Sequence, residues 1–250
     1  MKNRNLTIWV IAIAAMLVLL GPLAGQSRGD FVLTGNQQLT VNRYHYQGTL
    51  LDWSRVSIIP GGWVYHLDAY DYSSVDVSSG RVDYLYTRNS STADISGGYV
   101  HYLAPRNFSS VDISGGEVYG LDPAGFSSVN MSAGVVDYLV ARESSIVVIS
   151  GGSMRELCAF ESSVVSFHGR NFSVRDGLIL YADRVYGTGV LAGQWFDGTP
   201  WMVSISGNHP TATILAIPEP ATLSLFALAG LGLLKKRRTK NFWVFRQNLA

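Results

Sequence analysis

Apolar and polar positions repeat with a period of 18 through the middle of the chain. Val75-Asp76-Val77-Ser78-Ser79-Gly80 recurs as Ala93-Asp94-Ile95-Ser96-Gly97-Gly98 and again as Val111-Asp112-Ile113-Ser114-Gly115-Gly116. Weaker copies follow, Val129-Asn130-Met131-Ser132-Ala133-Gly134 and Val147-Val148-Ile149-Ser150-Gly151-Gly152. Gly62, Gly80, Gly98, Gly116, Gly134 and Gly152 keep the step, and so do Leu67, Leu85, Leu103, Leu121, Leu139 and Leu157. Inside one copy, Val111 and Ile113 alternate with Ser110, Asp112 and Ser114, the two-residue period of a strand with one buried face. The glycines turn the chain, and Val118 to Leu121 predicts a second short strand.

A unit of this length is too short for helical repeats or propeller blades, which need about thirty residues or more. A hairpin meander accommodates the alternation, but it reverses direction at every copy and has no need of a constant length. The unbroken step instead predicts copies stacked in one orientation. The expected fold is all-β: a parallel β-solenoid (β-helix) with coils about 4.8 Å apart. Stacking places Val75, Ala93, Val111, Val129, Val147 and Val165 in one internal column, with Val77, Ile95, Ile113, Met131, Ile149 and Phe167 beside it. Leu39-Thr40-Val41 stands four periods before Val111-Asp112-Ile113 and reads as an imperfect first coil. The expected organisation is an N-terminal cap and first coil over 26–53, repeats over 54–170 and a C-terminal β cap over 171–216. In that cap, Leu178 to Tyr186 and Trp201 to Ile217 read as ordinary strands closing the far end, since an open end is an unpaired sheet edge.

The two ends read differently from the body. Lys2 and Arg4 precede an apolar run from Leu6 to Leu20 and then Gly21-Pro22-Leu23-Ala24-Gly25, the layout of a secretory signal peptide over 1–25 with a cut before Gln26. An uncleaved N-terminal anchor is the alternative. Near the other end, Ile217-Pro218-Glu219-Pro220 leads into the uncharged run Ala221 to Leu234 and the cluster Lys235-Lys236-Arg237-Arg238. The prolines hold the approach extended. The apolar run predicts a helix that is short for a full span, with basic stems that snorkel and stay cytoplasmic. A plain tail anchor remains an alternative.

Pro218-Glu219-Pro220, Gly230-Leu231-Gly232 within the apolar run and the basic cluster resemble the PEP-CTERM sorting signal, over 217–238 here, with residues 239–250 as a tail. The segment from Trp195 to Ile214 is similar to the β-rich stretch found just upstream of that signal. The resemblance implies an exported bacterial protein, cut by signal peptidase and handled by an exosortase, an integral-membrane cysteine protease. It implies a transient inner-membrane anchor through the C-terminal helix, followed by release to the cell surface or an exopolysaccharide matrix.

Charge narrows the partners of the exported part. All four lysines lie in the terminal segments, and between Gln26 and Ile217 there are 11 arginines against 17 carboxylates, a balance of −6. An acidic body excludes nucleic-acid binding, which wants a basic face. Cys158 is the single cysteine, so no internal disulfide forms, and it reads as a small buried residue or else an exposed thiol. Asp76, Asp94 and Asp112 form a column that Asn130 and Val148 end; it reads as solvated carboxylates beside serines, with a calcium ladder as the sharper reading. The histidines at 45, 66, 101, 168 and 209 show no ligand spacing. Glycoside cleavage needs two carboxylates held across a cleft, and the coils carry no long insertion to build one. We therefore expect no catalytic residue, cofactor or metal. Tyr84, Tyr102 and Tyr138 share a column that Gly120 interrupts, with Tyr86 and Tyr119 nearby; they are candidate glycan contacts or an aromatic ladder. The Asn-x-Ser triplets at Asn89, Asn107, Asn130 and Asn171 read as turn composition. The expected product is a non-enzymatic surface or matrix solenoid, with a carbohydrate-binding or carbohydrate-active β-helix as the alternative.

Overall fold

The computed structural model describes residues 29–218. The expected signal helix, the apolar C-terminal helix, the sorting residues from Glu219 to Arg238 and the tail lie outside them.

The described residues form 19 strands and no helix. The strands assemble into two stacked columns of parallel neighbours. One column runs β1 (Asp30–Leu33), β3 (Tyr44–Leu50), β5 (Trp63–Ala69), β7 (Arg81–Thr87), β9 (Tyr99–Pro105), β10 (Ser110–Leu121), β11 (Ser128–Ala141), β13 (Ser153–Ala159) and β18 (Pro200–Asn208). The other runs β2 (Gln38–Val41), β4 (Arg55–Ile58), β6 (Ser74–Val77), β8 (Thr92–Ile95), then the first halves of β10 and β11, β12 (Ile146–Ile149), β14 (Val164–Arg175) and β19 (Thr213–Pro218). Every step between neighbours in these columns is parallel, so the chain is a parallel β-solenoid and not a meander.

The period fixes which atoms meet. Val75 pairs with Ala93, Ala93 with Val111, Val111 with Val129, Val129 with Val147 and Val147 with Val165. All six are buried, as are the Val77-to-Phe167 and Leu67-to-Leu157 columns. Each such side chain contributes about 1.5–3 kcal/mol, and only because the coils above and below cover it. The first coils depart from the strict step. Leu39 pairs with Val56, 17 residues on, and Val56 with Val75, 19 residues on. The two errors cancel, which is why Leu39 stands in phase. At that end the leucine column stops at Gly48, where the Phe31 ring fills the space a side chain would take: a Cβ on Gly48 would lie 2.3 Å from Phe31 Cζ.

Two corners punctuate each coil. At one, Gly80, Gly98, Gly116, Gly134 and Gly152 adopt φ between +71° and +86°. At Gly98 the adjacent coil is close enough that a Cβ would meet the Gly80 carbonyl oxygen at 2.7 Å. At the other corner the left-handed position is filled by Asp52, Asp71, Asn89, Asn107 and Gly125, which tolerate it, and then by Glu143 and Glu161, whose carboxylates accept from the backbone amides of Gly125 and Glu143 one coil back. Asn89 and Asn107 are therefore turn residues, whereas Asn171 has its left-handed backbone at a pairing irregularity within β14, and Asn130 lies in β11 and donates to Asp112 Oδ1 at 2.9 Å. Two residues after each left-handed position, Ser54, Ser73, Ser91, Ser109, Ser127, Ser145 and Ser163 stack inside, all buried.

The far end differs from the expected cap. Glu156 pairs in parallel with Ser204, 48 residues on, and Val164 with Thr213. β18 and β19 are thus one more coil, and the chain between them and β14 is an insertion about thirty residues longer than a coil step, contrary to the expectation of coils without one. Within it, β17 (Gly189–Gln194) runs antiparallel between the second half of β14 and β18, while β15 (Ile179–Tyr181) and β16 (Arg184–Tyr186) form a hairpin that pairs antiparallel with β19. No repeat marks these strands, so they read in the sequence like any others. Antiparallel partners cover the final coil's edge that a tenth coil would otherwise extend. Cys158 also corrects the reading of a buried thiol: it faces outward in the register of Tyr86 and Asp122, half-buried, with Sγ 3.1 Å from Ser206 Oγ.

Candidate functional site

The outward side of the longer strands gathers the chain's aromatic and charged side chains. His66, Tyr84, Tyr102, Gly120, Tyr138 and Glu156 follow one another in register. The preceding position carries Tyr65, Asp83, His101, Tyr119, Asp137 and Arg155, and the two positions interleave. Tyr46 stacks on Tyr65 at 5.2 Å between ring centres, Tyr65 meets Tyr84 edge-on at 5.4 Å, and His101 stacks on Tyr119 at 5.0 Å. Tyr119 meets Tyr138 edge-on at 5.2 Å, and the Arg155 guanidinium closes the row 4.1 Å from the Tyr138 ring centre. The three candidate glycan tyrosines therefore lie in one column, but their rings are engaged by neighbours. Tyr102 leans over Gly120 and donates its hydroxyl to Asp122 Oδ2 at 2.7 Å. Burial, and next that hydrogen bond, push its phenol up to about 12.

Three of the carboxylates on this face, Asp68, Asp83 and Asp122, are equally committed. Asp122 accepts from Tyr102, from Arg106 Nη2 at 2.9 Å and from Arg142 Nε at 3.1 Å. Asp83 accepts from Arg81 Nε and from Trp63 Nε1 at 3.1 Å. Asp68 is held by Arg88 and by His66 Nε2 at 2.9 Å. Arg88, Arg106 and Arg142 each reach an acid one coil away, as does Trp63 Nε1, so these contacts clamp coil to coil, whereas Arg81–Asp83 and His66–Asp68 lie within one strand. The column Asp76, Asp94, Asp112 lies on the other strand stack. Asp112 is bonded to Asn130; Asp94 has its carboxyl raised by partial burial first and by Asp112 and Asp76 next. Among the described residues no group of three His, Cys, Asp or Glu side chains is placed to hold a metal ion.

A cleft of about 590 Å³ opens between the insertion and the glycine corners of the adjacent coils, with Gly134, Gly152, Trp195, Phe196 and Met202 among its walls. The sequence could not show it, because it is built by the unrepeated insertion. Trp195 and Trp201 stack at 4.7 Å, and Trp195 Nε1 donates to the Gly152 carbonyl at 2.8 Å. Both indoles are buried and seal the core more than they line an opening. Asp197 is the sole acid of the lining, and the Thr199 backbone amide that donates to it at 2.8 Å holds its carboxyl below the usual range. One acid does not make the pair that glycoside cleavage requires.

Fold and surface thus define a parallel β-solenoid whose polar face is knitted along the stack. The end of that stack carries the clearest functional mark. Residues 216–238 match the family described as the PEP-CTERM protein-sorting motif, so the chain carries this sorting signal. The signal implies an exported protein handled by an exosortase and bound for the cell surface or extracellular space. No curated protein and no solved structure matches the chain. The matched segment begins inside the folded body: Ala216, Ile217 and Pro218 are the last residues of β19, paired with Phe167, His168 and Gly169.

Proposed function

We propose that this protein is a non-catalytic structural element of the cell surface or extracellular matrix, exported through a signal peptide cut by signal peptidase. It is held transiently in the inner membrane by its C-terminal helix and then processed by an exosortase. The observation that carries this reading is the direct passage from β19 into the sorting signal at Pro218. The solenoid is the cargo of the signal, with no further unit between them. Support for a non-catalytic role comes from Asp68, Asp83 and Asp122, whose oxygens are taken up by Arg88, Trp63, Tyr102 and Arg106 from neighbouring coils and by His66 and Arg81 within their own strands. A stack of coils whose Asp68, Asp83 and Asp122 are occupied by its own donors suits a scaffold.

Mass spectrometry of the mature chain from fractionated cells tests the reading. The expected product begins at Gln26, lacks Lys235 to Arg238 and is found in the surface or extracellular fraction. An intact chain ending at Ala250 in the inner membrane contradicts it. A second reading, binding of extracellular polysaccharide, is favoured by the many solvent-facing aromatic rings, and tyrosines 84, 102 and 138 are its sequence-derived candidates.

A further inference from the structure

A different set of rings lies at the corner between the longer and shorter strands. Trp53, Tyr72, Phe108 and Phe126 each follow the left-handed residue of their coil, and they are 63%, 57%, 67% and 64% exposed. They come in two stacked pairs. Trp53 and Tyr72 lie 4.4 Å apart at 9° between planes, and Phe108 and Phe126 lie 5.5 Å apart at 8°. The coil between the pairs carries Ser90 at the same position. Each pair covers its inner faces. Tyr72 and Phe108 turn their outer faces toward the Ser90 coil from opposite sides. Two coil steps separate them, ~9.6 Å.

We propose that this slot binds a pyranose ring of a neutral polysaccharide. Carbon–carbon contact of ~3.5–4 Å on each side, together with the pucker of a saturated six-membered ring, fills the opening; a flat aromatic ring leaves it loose. The floor is polar. Exposed Asn89 and Ser90 lie in it, and Asn107 borders it. Asn89 Nδ2 donates to Asp71 Oδ1 at 3.1 Å and Asn107 Nδ2 to Asn89 Oδ1 at 3.3 Å, which sets the direction of both amides. Apolar walls over a hydrogen-bonding floor match a sugar ring, with its C–H faces and its rim of hydroxyls. An apolar protein surface laid across the same ridge would strip water from these amides without replacing it. Asp52, Asp71, Glu143 and Glu161 at this corner select against uronic acids. The slot lies apart from Tyr84, Tyr102 and Tyr138, and it is present whether or not the tail is processed.

Affinity electrophoresis of the full chain in native gels tests this, with a neutral glucan, a galactomannan and a xylan as probes and a polyuronate as the anionic control. At least one neutral polymer retards the chain and the polyuronate does not. Tyr72→Ala and Phe108→Ala each weaken that retardation about tenfold. Ser90→Trp fills the slot and abolishes retardation with thermal unfolding unchanged, while Tyr181→Ala, at an exposed ring of the insertion, leaves it intact. Retardation by none of the neutral polymers, or retardation that survives Ser90→Trp, overturns the proposal. So does a chain that self-associates through this ridge and does so more strongly as Ser90→Trp, which would make the rings a contact between copies.

Discussion

Alanine at Gly98 tests how tightly the coils bear on one another. Gly98 has φ +72°, and a Cβ there would sit 2.7 Å from the Gly80 carbonyl oxygen and 2.7 Å from the Ser79 carbonyl carbon. Gly35 is the matched control, with φ +59° and nothing within 4 Å of the added carbon. Both substitutions incur the left-handed penalty of about 1–2 kcal/mol, offset in part by about 0.4–1 kcal/mol of lost unfolded-state freedom. Gly35→Ala is therefore expected to destabilise by about 0–1.6 kcal/mol. Gly98→Ala adds overpacking against backbone that cannot rotate away, about 1–3 kcal/mol further. Backbone of the adjacent coil must move, and the disturbance passes to the next coil. Urea unfolding of the full chain, followed by fluorescence and circular dichroism, reads the difference as a lower midpoint at unchanged slope. Equal midpoints for the two variants would refute the close backbone contact at this corner.

Three further outcomes follow from individual side chains. Asp94→Asn raises stability at neutral pH by less than about 1 kcal/mol. The raised carboxyl favours the folded state only when protonated, so the advantage of the variant disappears as pH falls below about 3.9, which thermal melts across pH 3–7 would show. Tyr102 titrates late for the same reason: its contribution is whole below about 10, the unperturbed phenol value, and is lost as pH rises through about 12. Tyr102→Phe removes that alkaline step from the unfolding midpoint. Ser109→Ala, which breaks bonds with Thr87 Oγ1 and the Arg106 amide, costs about 1 kcal/mol. Ser127→Ala, whose hydroxyl has no partner, is neutral or stabilising by chemical denaturation.

The repeat was legible because stacking demands it. Columns such as Val75 to Val165 write the contact between coils directly into the spacing, and even the uneven first coils leave Leu39 in phase. The insertion was not legible, because β15, β16 and β17 pair antiparallel with partners that share no period with them. Cys158 was misjudged by residue type, although its place in the column of Asp122 already marked an outward position. The inward serine column recurs in every copy yet reads as turn composition, since a hydroxyl among valines and isoleucines gives no sign of burial. The aromatic corner escaped notice because Ser90 splits Trp53 and Tyr72 from Phe108 and Phe126. The sorting signal needed no fold at all: its order of prolines, apolar run and basic cluster is read by an enzyme as sequence.

Distances between spin labels along one outward column test the stack itself. With Cys158→Ser as background, labels at Arg55 and Ile146 are five coil steps apart in the register and labels at Thr92 and Ile146 are three. The account predicts backbone separations of about 24 Å and 14 Å, a rise fixed per coil and not per residue. Distances that fail to grow with coil number, or that alternate from one copy to the next, would contradict a parallel solenoid.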